Sequence, residues 1–320
     1  MEQQNVTVLK EFILMGITDR PELQAPFFGV FLVIYAVSVV GNLGLIILSK
    51  VDSRLQTPMY FFLTHLAFTD LGYSTAVGPK MLVTLVVDQH TISYNWCATQ
   101  LSFFSMFITS EIFLLSAMAF DRYVAICNPL LYTVIMSPGV CWVLVAVPYV
   151  CSAFLSLITT IKISISSFCG YNVIRHFYCG SLPLLTLLCS STREIELIIL
   201  IFSEFNLVSS LSIVLVSYVL ILLAIFRMHS AEGRHKAFST CGSHLTVVVL
   251  YYGTLFFMYT QPKSKYSSDT DRIASLFYTL VIPMLNPMIY SLRNKVVKNA
   301  LTRTWNMCAN ILLKIHCKVC

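Results

Sequence analysis

Asp70 and Glu111 are carboxylates set inside long apolar runs, and Asp121-Arg122-Tyr123 places an acid, a base and a phenol in consecutive positions at the foot of one of those runs. A charge in hydrocarbon costs several kcal/mol unless it is paired or neutralised. Each acid therefore needs a cation, a shared proton or hydrogen-bonding neighbours, for which Asn42, Ser116 and Asn286 are candidates. Glu111 precedes Arg122 by 11 residues, roughly 16 Å along a helix at about 1.5 Å per residue. The chemistry these residues suit is storage of charge within a membrane, with an ion pair at its edge. Bond-making chemistry is not indicated. The chain has no phosphate loop, no zinc-binding HExxH and no nucleophile elbow.

The elements that position these residues must be membrane helices. Of 320 residues 57% are hydrophobic and 11% charged, with a mean hydropathy of +0.77, whereas soluble domains carry about 25% charged residues. A spanning helix needs about 20 mostly apolar residues. Seven stretches meet this: Pro26 to Ser49, Pro58 to Val77, Ala98 to Val124, Val140 to Ile161, Ile195 to Phe226, Ala237 to Thr260 and Ile273 to Leu292. The expected fold is all-α, a seven-transmembrane helix bundle. An extracellular segment over residues 1–25 precedes the seven-transmembrane domain at 26–292, and a cytoplasmic tail fills 293–320. In that tail, basic residues alternate with Val297, Leu301 and Trp305 at helical spacing, the pattern of a short amphipathic helix lying on the inner leaflet. The first 25 residues lack an apolar leader core, so the first span is expected to act as the membrane signal. Asn5-Val6-Thr7 is a glycosylation sequon, and its chemistry places the N-terminus outside. A small cytoplasmic excess of Lys and Arg agrees.

Met118 to Tyr132 (MAFDRYVAICNPLLY) resembles the signature at the cytoplasmic end of the third helix in rhodopsin-like G-protein-coupled receptors, in its odorant-receptor version. Further segments resembling that family follow in order: Gly41-Asn42, Leu55 to Leu63 (LQTPMYFFL), Ser217-Tyr218, Lys236 to Leu245 (KAFSTCGSHL) and Pro283 to Asn294 (PMLNPMIYSLRN). Two departures stand out. Tyr251 precedes Tyr252-Gly253-Thr254 where the family usually has Phe, and Gly139 follows Ser137-Pro138 where a basic residue is common.

The resemblance implies specific roles. Arg122 pairs with Asp121 at rest, then swings free as the sixth helix moves outward, with Tyr218 and Tyr290 closing around it. Pro287 kinks the seventh helix, with Asn286 and Tyr290 on either side of the break. Asp121, Arg122, Tyr123, Tyr218, Lys236, Asn286, Pro287 and Tyr290 form the coupling and switch set. The partner is a heterotrimeric G protein, the olfactory stimulatory one, and Arg227, Arg234, His235 and Lys236 edge its cleft either as contacts or as a solvated basic rim. The same resemblance suggests that Asp70 and Glu111 hold sodium, the only cofactor implied. A shared proton and a packed pair of protonated acids are the alternatives. Among the eleven cysteines, Cys97, Cys169, Cys179 and Cys189 fall on the oxidising side and permit three pairings. The family implies Cys97–Cys179 and Cys169–Cys189. Cys308, Cys317 and Cys320 are cytoplasmic thiols open to acylation.

Phe104, Ser105, Ile108, Thr109 and Ile112 share one face in the outer half of the third helix. Periodicity alone makes that face core. The resemblance makes it a ligand pocket, joined by Phe202, Ser203 and Asn206, by Tyr252, Leu255 and Tyr259, and by Ser275 and Thr279. Such a lining suits a small, neutral, mostly apolar volatile molecule. No acid between Ala98 and Ser110 is available to hold an amine, and no lysine between Ile273 and Leu292 to form a retinal Schiff base. The expected protein sits in the plasma membrane among lipid, binds no nucleic acid and is not an enzyme. A rhodopsin-like receptor for a non-odour metabolite in another tissue is the competing reading, and a transporter is a third, against which stands the absence of internal repeats.

Overall fold

The computed structural model describes residues 10–304 apart from positions 19, 88–89, 170, 260–268 and 294–295. Asn5, Trp305, Cys308, Cys317 and Cys320, and the side chains of Lys236 and Tyr259, lie outside the described set. Seven long helical segments form one bundle. The first six are Pro21–Val51, Pro58–Thr84, Tyr94–Cys127, Pro138–Ile165, Arg193–Arg227 and Ala231–Tyr259. The seventh is assembled from Asp269–Leu276, a π-helical turn Phe277–Val281, and Ile282–Arg293.

Local chemistry explains where several helices start. Pro21, Pro58 and Pro138 open the first, second and fourth, since the first turn needs no N–H from them and their fixed φ suits a helix. The Ser93 hydroxyl accepts the Trp96 N–H at the head of the third. Most helices run past the apolar stretches predicted for them. The hydrocarbon limits how long a helix must be apolar, not how far it continues.

Length and apolarity alone identify five spans among the described residues, with Cys241–Phe256 as a shorter apolar stretch. The second helix is not one of them. More of it is buried than of the first, fourth or fifth, including Thr69, Asp70, Ser74 and Thr84, so less of its circumference has to dissolve in lipid. The third helix is the hub, packing on the second, fourth, fifth and sixth.

The outer end carries a feature that the sequence did not announce. Glu11–Leu14, Thr91–Ser93 and Val173–Ile174 form a three-stranded sheet with the N-terminal strand in the middle. That strand runs antiparallel to Thr91–Ser93, with Phe12 opposite Ile92, and parallel to Val173–Ile174, with Leu14 opposite Ile174. Phe12 and Leu14 are buried in a separate apolar cluster with Ile92, Leu101, Ile174 and Leu188. Cys97–Cys179 and Cys169–Cys189 are bonded, with Cα–Cα distances of 5.5 and 5.1 Å.

At the inner end, residues 296–304 are helical. Val297 and Ala300 are buried while Leu301 faces out. Arg303 donates to Asp52 at 2.5 Å, tying this helix to the loop after the first span. The guanidinium beside it, with the Arg54 N–H, holds the Asp52 carboxyl below the usual carboxylate range.

Candidate functional site

Asp70 and Glu111, from the second and third helices, meet Asn286 of the seventh at the centre of the bundle, and all three are buried. The Asn286 amide donates to both Asp70 oxygens, at 3.1 and 2.9 Å, and reaches Glu111 Oε1 at 3.5 Å. The Tyr73 hydroxyl donates to Asp70 at 3.1 Å. The two carboxyls share the Asn286 amide as a common donor. Glu111 Oε2 is buried with no hydrogen-bond partner. A carboxylate pair with a free oxygen suits a monovalent cation or a shared proton. Of the predicted neighbours, Asn286 joins this centre. Asn42 and Ser116 are occupied elsewhere, Ser116 by the carbonyls of Ile112 and Ser210.

Asn42 instead repairs the proline break. Pro287 has no N–H for the carbonyl four residues back, that of Pro283, and the Asn42 amide donates to this carbonyl at 2.9 Å. Gly41 lets the two helices come close enough, because a Cβ there would lie 2.8 Å from Pro287 Cγ.

The predicted ligand face divides by burial. Ser105, Ile108, Thr109, Ile112, Ser203 and Leu255 are half-buried, whereas Phe104, Asn206, Tyr252, Ser275 and Thr279 are buried. Phe202 is a correction: it is 37% exposed, because the inward line of the fifth helix runs through Ser203, Asn206 and Ser210 and leaves position 202 off its edge. Tyr252, Ser275 and Thr279 are already engaged, Ser275 by His176 and Tyr278. Tyr252 donates to Ser210 at 2.9 Å, and Thr279 donates to the Ser275 carbonyl at 2.7 Å.

Above this face the loop between the fourth and fifth helices sends His176-Phe177-Tyr178 down into the bundle, all three buried. Tyr178 packs on Phe104 with 4.9 Å between ring centroids. The tyrosine hydroxyls of Tyr178 and Tyr278 meet at 2.6 Å, and Tyr278 donates to Ser275 at 3.0 Å. His176 Nδ1 accepts the Phe177 N–H at 3.0 Å, so Nε2 carries the proton and donates to Ser275 at 3.2 Å. Burial, reinforced by the Arg272 charge, pushes the His176 pKa down to about 3. Gln100 anchors the loop beside the disulfide, accepting the Cys179 N–H at 2.8 Å. His176, Tyr178 and Tyr278 were not among the residues predicted from sequence. The available signal was their place beside Cys179, Ser275 and Thr279. The departure at Tyr251 also has a structural role, since its hydroxyl donates to the Ile108 carbonyl at 3.0 Å.

The cytoplasmic end corrects the pairing expected for Arg122. Asp121 accepts the Tyr132 hydroxyl at 2.7 Å, and the ion pairs among the described residues are Lys162–Glu194 and Arg303–Asp52. Consecutive helical residues do not face one another, so Asp121 and Arg122 point to different neighbours. Arg122 reaches the Met59 sulfur on the second helix. Tyr218 bonds His244 Nδ1 at 2.7 Å with the two rings stacked, closing the fifth helix onto the sixth. Tyr290 is buried with its hydroxyl unbonded. Tyr123 is half-buried and packs on Phe120.

A sequence model described as olfactory receptor matches residues 31–307. Human olfactory receptor 8K3 is 71% identical over 313 residues, covering 98% of this chain and 100% of its own. Human olfactory receptor 8K1 is 66% identical over 299 residues, covering 93% and 94%. Mouse olfactory receptor 8U3 is 59% identical over 300 residues, covering 94% of each. In fold, the chain is similar to squid rhodopsin in its crystal structure, with a TM-score of 0.69 at 17% identity over 90% of this chain and 87% of that one.

Proposed function

Because this chain belongs to the olfactory receptor family and so is a multi-pass plasma-membrane receptor and not an enzyme, we propose that its ligand is a small, neutral, mostly apolar volatile held beneath the His176-Phe177-Tyr178 plug. Binding there activates the olfactory stimulatory G protein and raises cyclic AMP. The observation that carries this reading is the composition of the residues that the bundle gathers on this face. Phe104, Ile108, Ile112 and Leu255 supply apolar surface, Thr109 and Asn206 add a few polar groups, and none of these residues is charged. Such a lining rewards apolar contact and one or two hydrogen bonds, and it penalises a charged ligand.

Asp70 and Glu111 hold one positive charge in the resting receptor, a sodium ion or a shared proton, which is lost when the seventh helix rearranges at Asn286. The orphan Glu111 Oε2 supports this. A panel of volatiles on cells carrying the olfactory stimulatory G protein, read as cyclic AMP with surface receptor measured in parallel, tests the ligand and coupling. A receptor at the surface that answers no volatile, or answers only a non-volatile metabolite, overturns the odour reading. Varying external sodium separates the two occupants, because a proton-bearing pair leaves basal signalling independent of sodium.

A further inference from the structure

A cavity of about 610 Å³ opens between the outer halves of the second and third helices, under strand Thr91–Ser93. It is on the outside of the bundle. The second helix turns Tyr73, Val77 and Met81 inward and Gly72, Ala76 and Pro79 toward this groove. On the third helix, Trp96 and Phe103 border it with 70% and 50% of their surface exposed. At the floor the Phe107 ring packs directly on Gly72, where a Cβ would lie 2.6 Å from it.

The groove has a polar head and an apolar length. At its head Lys80 Nζ donates to the Thr91 carbonyl at 2.6 Å, which uses one of three ammonium protons. Lys80 belongs to neither ion pair among the described residues. From Lys80 down to Gly72 the groove extends roughly 12 Å at about 1.5 Å per residue, most of the depth of one leaflet of a hydrocarbon core about 30 Å thick. Trp96 stands at the mouth, where indole rings collect at a membrane interface.

We infer that this groove is a binding site for one outer-leaflet glycerophospholipid, its phosphate on the Lys80 ammonium and one acyl chain along Gly72, Ala76 and Phe103. A positioned cation at headgroup depth favours a phosphate over the hydroxyl of a sterol, which needs only an uncharged hydrogen-bond partner. The bound chain packs the outward faces of Trp96 and Phe103, and the phosphate braces the Lys80–Thr91 tie that joins the second helix to the outer sheet.

Native mass spectrometry of the purified full chain in detergent tests this, with phosphatidylcholine and cholesterol offered separately and folding checked by melting. The wild type and Lys80→Arg retain one phosphatidylcholine, and Lys80→Gln and Ala76→Leu each reduce that occupancy at least fivefold, the first by removing the charge and the second by filling the groove. Equal retention by wild type and Lys80→Gln overturns the proposal, as does a single site filled by cholesterol and not by phosphatidylcholine. If Lys80→Gln does not fold, Ala76→Leu decides, and unchanged retention by it has the same consequence.

Discussion

The Asn42 amide occupies the Pro283 carbonyl that Pro287 leaves without a donor, at 2.9 Å across the first and seventh helices. The break in the seventh helix is thus satisfied from a neighbour and kept ready to move. Asn42→Leu removes the donor and leaves a buried carbonyl unpaired, at a cost of about 1–3 kcal/mol. Gly41→Ala pushes a methyl against Pro287 at 2.8 Å and destabilises by separating the same two helices. A lower melting temperature for both variants in detergent is expected. An Asn42→Leu receptor as stable as the wild type removes the repair role.

How much of this was legible in the sequence depended on the solvent. A helix facing lipid must be apolar, so the first, fourth and fifth declared themselves. Asp70 and Glu111 stood out because their surroundings cannot hydrate them. The N-terminal strand did not, being four residues long with partners some 80 and 160 positions away. Asp121 and Arg122 read as a pair because they are adjacent, yet adjacency on a helix turns side chains apart, and Tyr132 took the acid. The π turn at Phe277–Val281 has no compositional mark. It lies between Ser275 and the Pro287 break and carries Tyr278 to its contact with Tyr178.

Tyr218 and His244 join the fifth and sixth helices through one bond in a buried position. Outward movement of the sixth helix must break it. His244→Phe keeps the ring stacking and deletes the bond, removing about 0.5–1.5 kcal/mol from the closed state, a shift of two- to tenfold in the open population. Basal cyclic AMP normalised to surface receptor rises accordingly. A fall or no change shows that the bond does not favour the closed state.

Phe12 is buried against Tyr94 and Phe168, with ring centroids 5.9 and 5.4 Å away. Phe12→Ala leaves a cavity under the outer sheet at about 3–5 kcal/mol, and Ile13→Pro removes the N–H that bonds the Asn172 carbonyl at 2.7 Å. Both lower surface delivery and melting temperature. Lys10→Ala, at an exposed side chain beside the strand, changes neither and serves as the control.

His176 makes the plug sensitive to acid. Its pKa falls to about 3 in the folded receptor from an ordinary 6.5, so the unfolded chain binds the extra proton and folding stability rises with pH across that interval. The contribution is complete above about pH 6.5 and is lost progressively as pH falls toward 3. It is on the order of a few kcal/mol, because each tenfold change in proton affinity is worth about 1.4 kcal/mol. Protonation also sets a new N–H on Nδ1 against the Phe177 N–H it now accepts, and it adds a second positive charge near Arg272. Melting curves in detergent from pH 8 to pH 4 follow this loss. His176→Gln cannot titrate and keeps a donor toward Ser275, so its melting temperature declines less over the same range. Parallel declines in the two proteins place the acid sensitivity elsewhere in the receptor.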